Sequence, residues 1–448
     1  MRRVAWLLAS ALAHCASFAG GLQEAFDAAL VNDPQYRSAR AELASTQQAG
    51  PMARAGLRPT VSINWSDASV RGSVTSESGS LVSGRDLDYR SPVRSLNLRM
   101  PLYNREALQK IEIADFQASF GEMVFAVRTA DLLDRLATAF FQRSVARYTV
   151  QTARAQRDAA LAQRNQAARN FELGDGPRTS AQEAEASLNL ADALLSEGQN
   201  QLAQSNLVLQ QITGLQPNEV DALDDPLALT EPTLRANLLP KESLQDWLTK
   251  AEADSRSIAA RRIAVELSKT AVARNNAGHY PRLDFVASAT SSRNESVNTL
   301  NQSIEQQSLG LQLNLPLYSG GYVSASVTQA LADLEKAQAD LDAERQSVAR
   351  TVTKLYFACV DGGAKAIAYQ KILDSQKATL EGLRKAQLAG MVPQTDVITG
   401  AGKLAQARAD AARALSEFIL ARMQLVTKSG GEPQHALKVA DELLRKAP

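Results

Sequence analysis

Four short alternating strands, set among helices too long for any globular core, predict an α+β membrane protein built as two copies of one unit. Two observations carry the prediction. In LGLQLNLPLYSGG, residues 309–321, Leu309, Leu311, Leu313 and Leu315 fall on one side of a strand and Gly310, Gln312 and Asn314 on the other, until Pro316 ends the pattern. The segments 105–172 and 321–388 contain no proline, and each of their 68 residues adds 1.5 Å of helix, for roughly 100 Å in all.

The composition suits such helices. Of 448 residues 45% are hydrophobic but only 5% aromatic, and the abundant alanine and unbranched side chains lose little entropy in a helix. The first 19 residues, MRRVAWLLASALAHCASFA, place Arg2 and Arg3 ahead of an apolar run that closes on Ser17, Phe18 and Ala19, which predicts a secretory leader cleaved before Gly20. That run is too short to span a bilayer. Leader removal turns 49 basic residues into 47 against 48 acidic ones, so nothing points to nucleic acid. Cys15 leaves with the leader and Cys359 has no partner for an internal disulfide. LAHC at 12–15 puts His14 where a lipoprotein cleavage site needs a small residue, so lipidation of Cys15 is not expected.

The chain repeats itself. LNLRMPLY at 96–103 returns as LQLNLPLY at 311–318, AGLRPTVSI at 55–63 as AGHYPRLDF at 277–285, and Gly174 with Pro177 as Gly390 with Pro393, at offsets of 215, 222 and 216. Each copy reads helix, strand, loop, strand, very long helix, tight turn, helix. The boundaries expected are a first copy at 20–214, an irregular connector at 215–243 with four prolines, a second copy at 244–430 and a tail at 431–448. Strands are expected at 60–72, 92–102, 282–292 and 306–317, with polar loops SVTSESGSLVSGRDLDY and SSRNESVNTLNQSIEQQ between the members of each pair. The second strand opposes Leu96, Leu98, Met100 and Leu102 to Ser95, Asn97 and Arg99.

Half-length helices are expected at 179–213 and 394–428, and opening helices at 22–57 and 244–279. Asp33 and Pro34 read as a cap and first-turn proline, and Pro51 should kink the first opening helix. Ala184, Leu188, Ala191, Leu195, Gly198, Leu202, Ser205, Leu209 and Ile212 form a seam stepping by four and three. Gly400, Leu404, Ala407, Ala411, Ala414, Phe418, Ala421 and Leu425 repeat it, and Leu334, Leu341, Val348 and Leu355 supply one on a long helix. Pro59, Pro101, Pro281 and Pro316 are placed at joints of strand and helix.

Strands with one apolar face suit lipid only if no edge is left unpaired. Membrane barrels begin at about eight strands, so a chain offering four must pool them with one, two or three sister copies. A soluble sheet packed on helices explains the alternation alone, but not helices of that length.

VNDPQYRSARAEL at 31–43, the AGLRP and AGHYP entries to the strands, and PLYSGG at 316–321 give the chain a resemblance to the TolC family of outer membrane channel proteins, over essentially the whole mature length. The resemblance implies a homotrimer with a 12-stranded β-barrel in the outer membrane of a Gram-negative bacterium, continuous with a periplasmic α-helical coiled-coil barrel. It also implies a periplasmic adaptor and an inner membrane ABC or proton-driven transporter as partners, and no cofactor. Arg99, Gln312 and Asn314 are then expected in the barrel lumen. The turns carrying Gly174, Gly176, Pro177, Arg178, Gly390 and Pro393 are the expected adaptor contacts.

Family members narrow the periplasmic end near these turns, often with aspartates. Asp396 holds the matching place, whereas the first copy has Ser180 there, flanked by Asp175 and Glu183. Each residue has a local alternative: Asp396 as a helix cap or first-turn acid, and Ser180 with Glu183 as a capping box. His14, His279 and His435 lack metal-ligand spacing, and no phosphate loop or nucleophile elbow occurs, so no enzyme or metal site is expected. The expected function is a passive exit duct for protein secretion or efflux, the alternative a periplasmic coiled-coil scaffold without a pore.

Overall fold

The computed structural model of the chain describes residues 21–78, 81–215, 242–294 and 302–444. The expected leader, the connector from 216 to 241 and the tip of the second loop lie outside them. The chain forms two compact units, one of residues 42–122 and 260–342, the other of the described parts of 1–41, 123–259 and 343–448.

The first unit holds one antiparallel sheet in the order β1-β2-β3-β4, built from β1 (Thr60–Ser78), β2 (Leu81–Asn104), β3 (Arg282–Asn294) and β4 (Gln302–Asn314). Six of the eight expected strand boundaries shift, and only the starts at Thr60 and Arg282 hold. The expected loop at 73–89 is instead ladder, with Ser78 paired to Leu81, so the first hairpin runs well past the second. Ion pairs Asp67–Arg90 and Arg71–Asp88 bridge the hairpin at 2.7 and 3.4 Å. β4 stops at Asn314, not 317, because Pro316 offers no N–H, and Gly320 and Gly321 then turn the chain at φ of 61° and 84°. Pro101 lies inside β2 at a bulge between Pro101 and Tyr103, and the strand continues to Asn104. There the Asn104 side chain accepts the Ala107 N–H at 3.1 Å, capping α4 (Arg105–Glu172) with no loop between strand and helix.

The segments expected as opening helices are broken: α1 (Gly21–Asn32), α2 (Pro34–Gln47) and α3 (Ala49–Ala55) precede β1, and α6 (Leu244–Asp254) and α7 (Arg256–Asn276) precede β3. Asp33 caps as expected, accepting the Tyr36 N–H at 2.7 Å. Ser255, 222 residues after Asp33, separates α6 from α7. The interruption expected at Pro51 falls upstream, at Gln48, because a proline ring collides with the carbonyl four residues back and fits the first turn of a new helix.

In the second unit α5 (Arg178–Thr213) and α9 (Gln394–Lys428) match the expected half-length helices, and α8 (Tyr322–Leu388), which begins in the first unit and ends in the second, matches the second long one. Every residue of the two short-helix seams is buried or half-buried. One core joins Leu22 and Phe26 of α1, Leu132, Leu136 and Phe140 of α4, Leu209 of α5, Trp247 of α6, Val352 and Cys359 of α8, and Phe418 and Leu425 of α9. The tail at 431–448 contains a helix, α10 (Pro433–Leu444), that sequence reasoning did not find; Ala436, Leu437 and Ala440 seat it in this core.

At the end of α9, Lys428 Nζ lies 3.0 Å from Asp134 and 3.2 Å from Asp131. Burial lifts the Asp134 carboxyl above its ordinary range despite that cation. Burial also opposes the charge on Lys428, but the two carboxylates outweigh it and hold its pKa up. Both groups bind protons more tightly folded than unfolded, so the Asp134 contribution falls as pH rises through the acid range and the Lys428 contribution is lost only in strong alkali. Replacing Lys428 by Met strands Asp134, 15% exposed in its side chain. The expected loss is about 1–2 kcal/mol, reduced from the fully buried case by the exposure of Lys428. It should be largest at neutral pH and shrink towards pH 5. Thermal melts at both pH values check this, and a deficit that grows on acidification contradicts it.

Candidate functional site

The register makes two unlike faces. Val61 opposes Leu98 and Ile63 opposes Leu96; Leu98 and Met100 oppose Ala287 and Phe285; Ala287, Phe285 and Leu283 oppose Leu309, Leu311 and Leu313. These residues share one side of the pleat, and Ile63, Leu309 and Leu311 are 77%, 79% and 67% exposed. Among the described residues nothing covers this face. Beyond β4, Leu315, Leu317 and Tyr318 are exposed too, as are Tyr103, Tyr280 and Tyr322 near the strand–helix joints.

The opposite side is polar. Thr60 opposes Arg99, Asp284 opposes Gln312 and Ser288 opposes Ser308, so Arg99, Gln312 and Asn314 share a face as the alternation requires. Arg99 donates from Nε and Nη2 to one oxygen of Asp284, at 3.1 and 2.5 Å, across the β2–β3 pair. Asp284 is 5% exposed, so the charge of Arg99 is locally balanced, not projecting alone. Sequence reasoning missed Asp284, although an acid at the polar parity of RLDFVASA was a legible signal. Glu106, which binds Lys110 and Arg282 beside the joint, left no such sign.

Each of the two tight turns is a Schellman closure. Gly174 and Gly390 take φ of 80° and 73°, and the next N–H reaches back five residues, Asp175 to Asn170 O at 2.8 Å and Met391 to Ala386 O at 2.9 Å. Pro177 and Pro393 are the residues flanking α5 and α9, with no side-chain cap. This overturns the capping box expected of Ser180 and Glu183: α5 begins at Arg178, so Pro177 holds the cap position and Ser180 is already the third residue of the helix. A capping box does form elsewhere, between Ser243 and Asp246. Asp396 stands third in α9, exposed, in the first turn where the helix end favours an anion. Asp175, Arg178, Ser180 and Glu183 are exposed as well. So are the apolar Leu173, Leu388 and Met391, at 75%, 90% and 73%. Gly176 is half-buried against Asn170, whose Cβ would lie 3.3 Å from an added methyl.

An exposed apolar sheet face joined to capped long helices defines a class, and the comparisons agree with it. The outer membrane efflux protein family matches residues 25–215 and 247–431, and the chain belongs to that family. It is 30% identical to the alkaline protease secretion protein AprF of Pseudomonas aeruginosa, over 91% of this chain and 84% of that protein. It is 31% identical to the proteases secretion protein PrtF of Dickeya chrysanthemi, over 89% and 86%. The outer membrane protein VceC of Vibrio cholerae shares the fold with a TM-score of 0.67 at 17% identity, covering 92% of this chain and 96% of that one.

Gly174→Ala and Gly390→Ala should each cost about 1–2 kcal/mol of local strain, since no neighbour lies within 4 Å and only the left-handed φ resists a methyl. Limited proteolysis should then cut faster within the altered turn while the melting temperature of the protein barely moves. Unchanged turn cleavage would mean the turns are not held this way.

Proposed function

We propose that the protein is an outer membrane exit channel for cargo handed over by an inner membrane transporter, working as a homotrimer. The observation that carries this reading is the sheet: apolar on one side, polar on the other, with β1 and β4 each paired on one edge only among the described residues. Lipid accepts the apolar face but no unpaired strand edge. Three chains joined edge to edge supply a closed ring of twelve strands, with Arg99, Asp284, Gln312 and Asn314 towards water and the leucine rows towards hydrocarbon. The exposed tyrosines at the joints suit the headgroup level.

The same reading assigns the remaining parts. A leader at 1–19 directs export. The copies at 20–214 and 244–430 are repeats of one unit, with 215–243 as the connector between them and 431–448 closing on the core. The long helices carry the wall across the periplasm as a coiled-coil barrel. The turns at Gly174, Gly176, Pro177 and Arg178 and at Gly390 and Pro393 receive a periplasmic adaptor, to which Leu173, Leu388 and Met391 offer apolar contact. Asp396, with Asp175, Ser180 and Glu183, lines the narrowest passage. A threefold ring of Asp396 sets a cation preference there. Relatives named for protease secretion favour a secreted protein as cargo, served by an ABC transporter.

Planar bilayer recordings test the proposal. Wild-type protein should give discrete, cation-preferring single-channel steps. Asp396→Asn should weaken that preference and shift the reversal potential in a salt gradient towards zero. A pore-free scaffold would pass no current, and a channel whose selectivity ignores Asp396 would remove that residue from the constriction.

A further inference from the structure

The apolar side of the sheet does not stay apolar to its far end. Its last apolar row is Ile63, Leu96 and Ala289, already ending in Gln307 on β4. One row further from the strand–helix joints, the same side of the pleat carries Trp65, Arg94, Ser291 and Glu305, with Trp65 directly opposite Arg94. Arg293 follows on β3, diagonal to Arg94, a spacing of about 7–8 Å that long side chains still bridge. Trp65 is 71% exposed, and both arginines are exposed. Further out, Arg90 and Arg71 are neutralised by Asp67 and Asp88. Arg94 and Arg293 have no ion-pair or hydrogen-bond partner among the described residues, and Glu305 is joined to neither. Two cations against one acid leave a surplus positive charge here, beside an exposed indole N–H.

The length of strand gives this row its level. Tyr103 lies on the same side of the pleat at the joint end, opposite Leu283, and nine residues separate it from Arg94. That is about 30 Å of strand at about 3.3 Å per residue, or about 23 Å of height at the tilt of about 40° found in membrane barrels. The apolar band of such barrels is about 25 Å tall. Tyr103 and Arg94 therefore stand at opposite headgroup levels with the leucine rows between them, a placement that rests on the reading of the sheet as a membrane wall. An arginine at that level, with no protein acid to hold it, meets lipid phosphate, for which its planar fork supplies paired donors. We propose that Arg94 and Arg293, with the Trp65 indole N–H, bind the phosphate of an anionic lipid headgroup, so that this rim selects anionic over zwitterionic lipid. A zwitterionic headgroup also offers a phosphate, but it brings its own cation and leaves the surplus charge unbalanced.

Trp65 is also the probe, because bromine on a lipid chain quenches tryptophan only at close range. The full-length protein is reconstituted into mixed vesicles of phosphatidylcholine and phosphatidylglycerol, with one lipid or the other brominated near the headgroup end of its chains. The quenching that disappears in Trp65→Phe is the Trp65 signal. Phosphatidylglycerol should be enriched beside Trp65 roughly twofold or more over its bulk fraction at low salt, and less at high salt. Arg94→Gln and Arg293→Gln should each bring the local fraction down towards the bulk value, and Arg94→Lys should keep part of the enrichment. A bulk-like fraction in the wild type, or an enrichment indifferent to either glutamine variant, would overturn the lipid assignment and leave the sheet in the bilayer. No quenching by either lipid would take Trp65 out of the membrane and overturn the assignment together with the reading of the sheet.

Discussion

β1 and β4 leave the outer edges of the sheet without partners among the described residues, and the leucine rows beside them find none to pack on. Each difficulty alone has a familiar remedy: a soluble protein covers an apolar face with helices, and charges or bulges blunt an edge. Here the apolar face is left bare over all four strands, while the other face is dressed with Ser, Asn, Gln and a paired Arg99 and Asp284. Closure with sister chains inside a bilayer meets both demands together. The two strand-to-helix joints differ: Asn104 ends β2 and caps α4 in one residue, whereas residues 315–321 separate β4 from α8.

Beyond the strands, a different rule governs. α5 and α9 carry the same seam at an offset of 216, but their surroundings differ. α9 is buried on several sides between Leu404 and Thr427, packing on residues of α4 and α8 and, at its end, on α10. α5 has no such cover: Leu190, Leu194, Leu207 and Val208 remain exposed on it. Two helices with the same seam thus have unlike neighbours.

Where the pattern has a strict period, the sequence is legible almost to the residue. α4 at 105–172 and α9 at 394–428 follow from proline-free runs bounded by Asn, Gly and Pro, and the polar strand face follows from alternation. The misreadings fall where chemistry is shared over a distance or between neighbours. Ser180 and Glu183 spell a cap locally, but Pro177, fixed in an extended conformation, starts the helix earlier. The long first hairpin was hidden because its Ser and Gly residues also make good loops, and only pairing of Ser78 with Leu81 distinguishes the two. Asp284 as partner of Arg99 needs the β2–β3 register, and α10 needs the core that receives Ala436, Leu437 and Ala440. None of these is written in a single segment.

Hydrocarbon as the missing partner of the leucine face is the central claim, and nitroxide accessibility at two adjacent positions of β4 tests it most directly. Cys359 is fully buried and its thiol is pushed up to about 12 by burial, so it stays unlabelled at neutral pH. Leu311→Cys and Gln312→Cys are labelled in protein reconstituted into lipid vesicles. Collisions with oxygen but not with a water-soluble nickel chelate are predicted at 311, and the reverse at 312. Equal access of the nickel chelate to both would put the leucine face in water and contradict the claim.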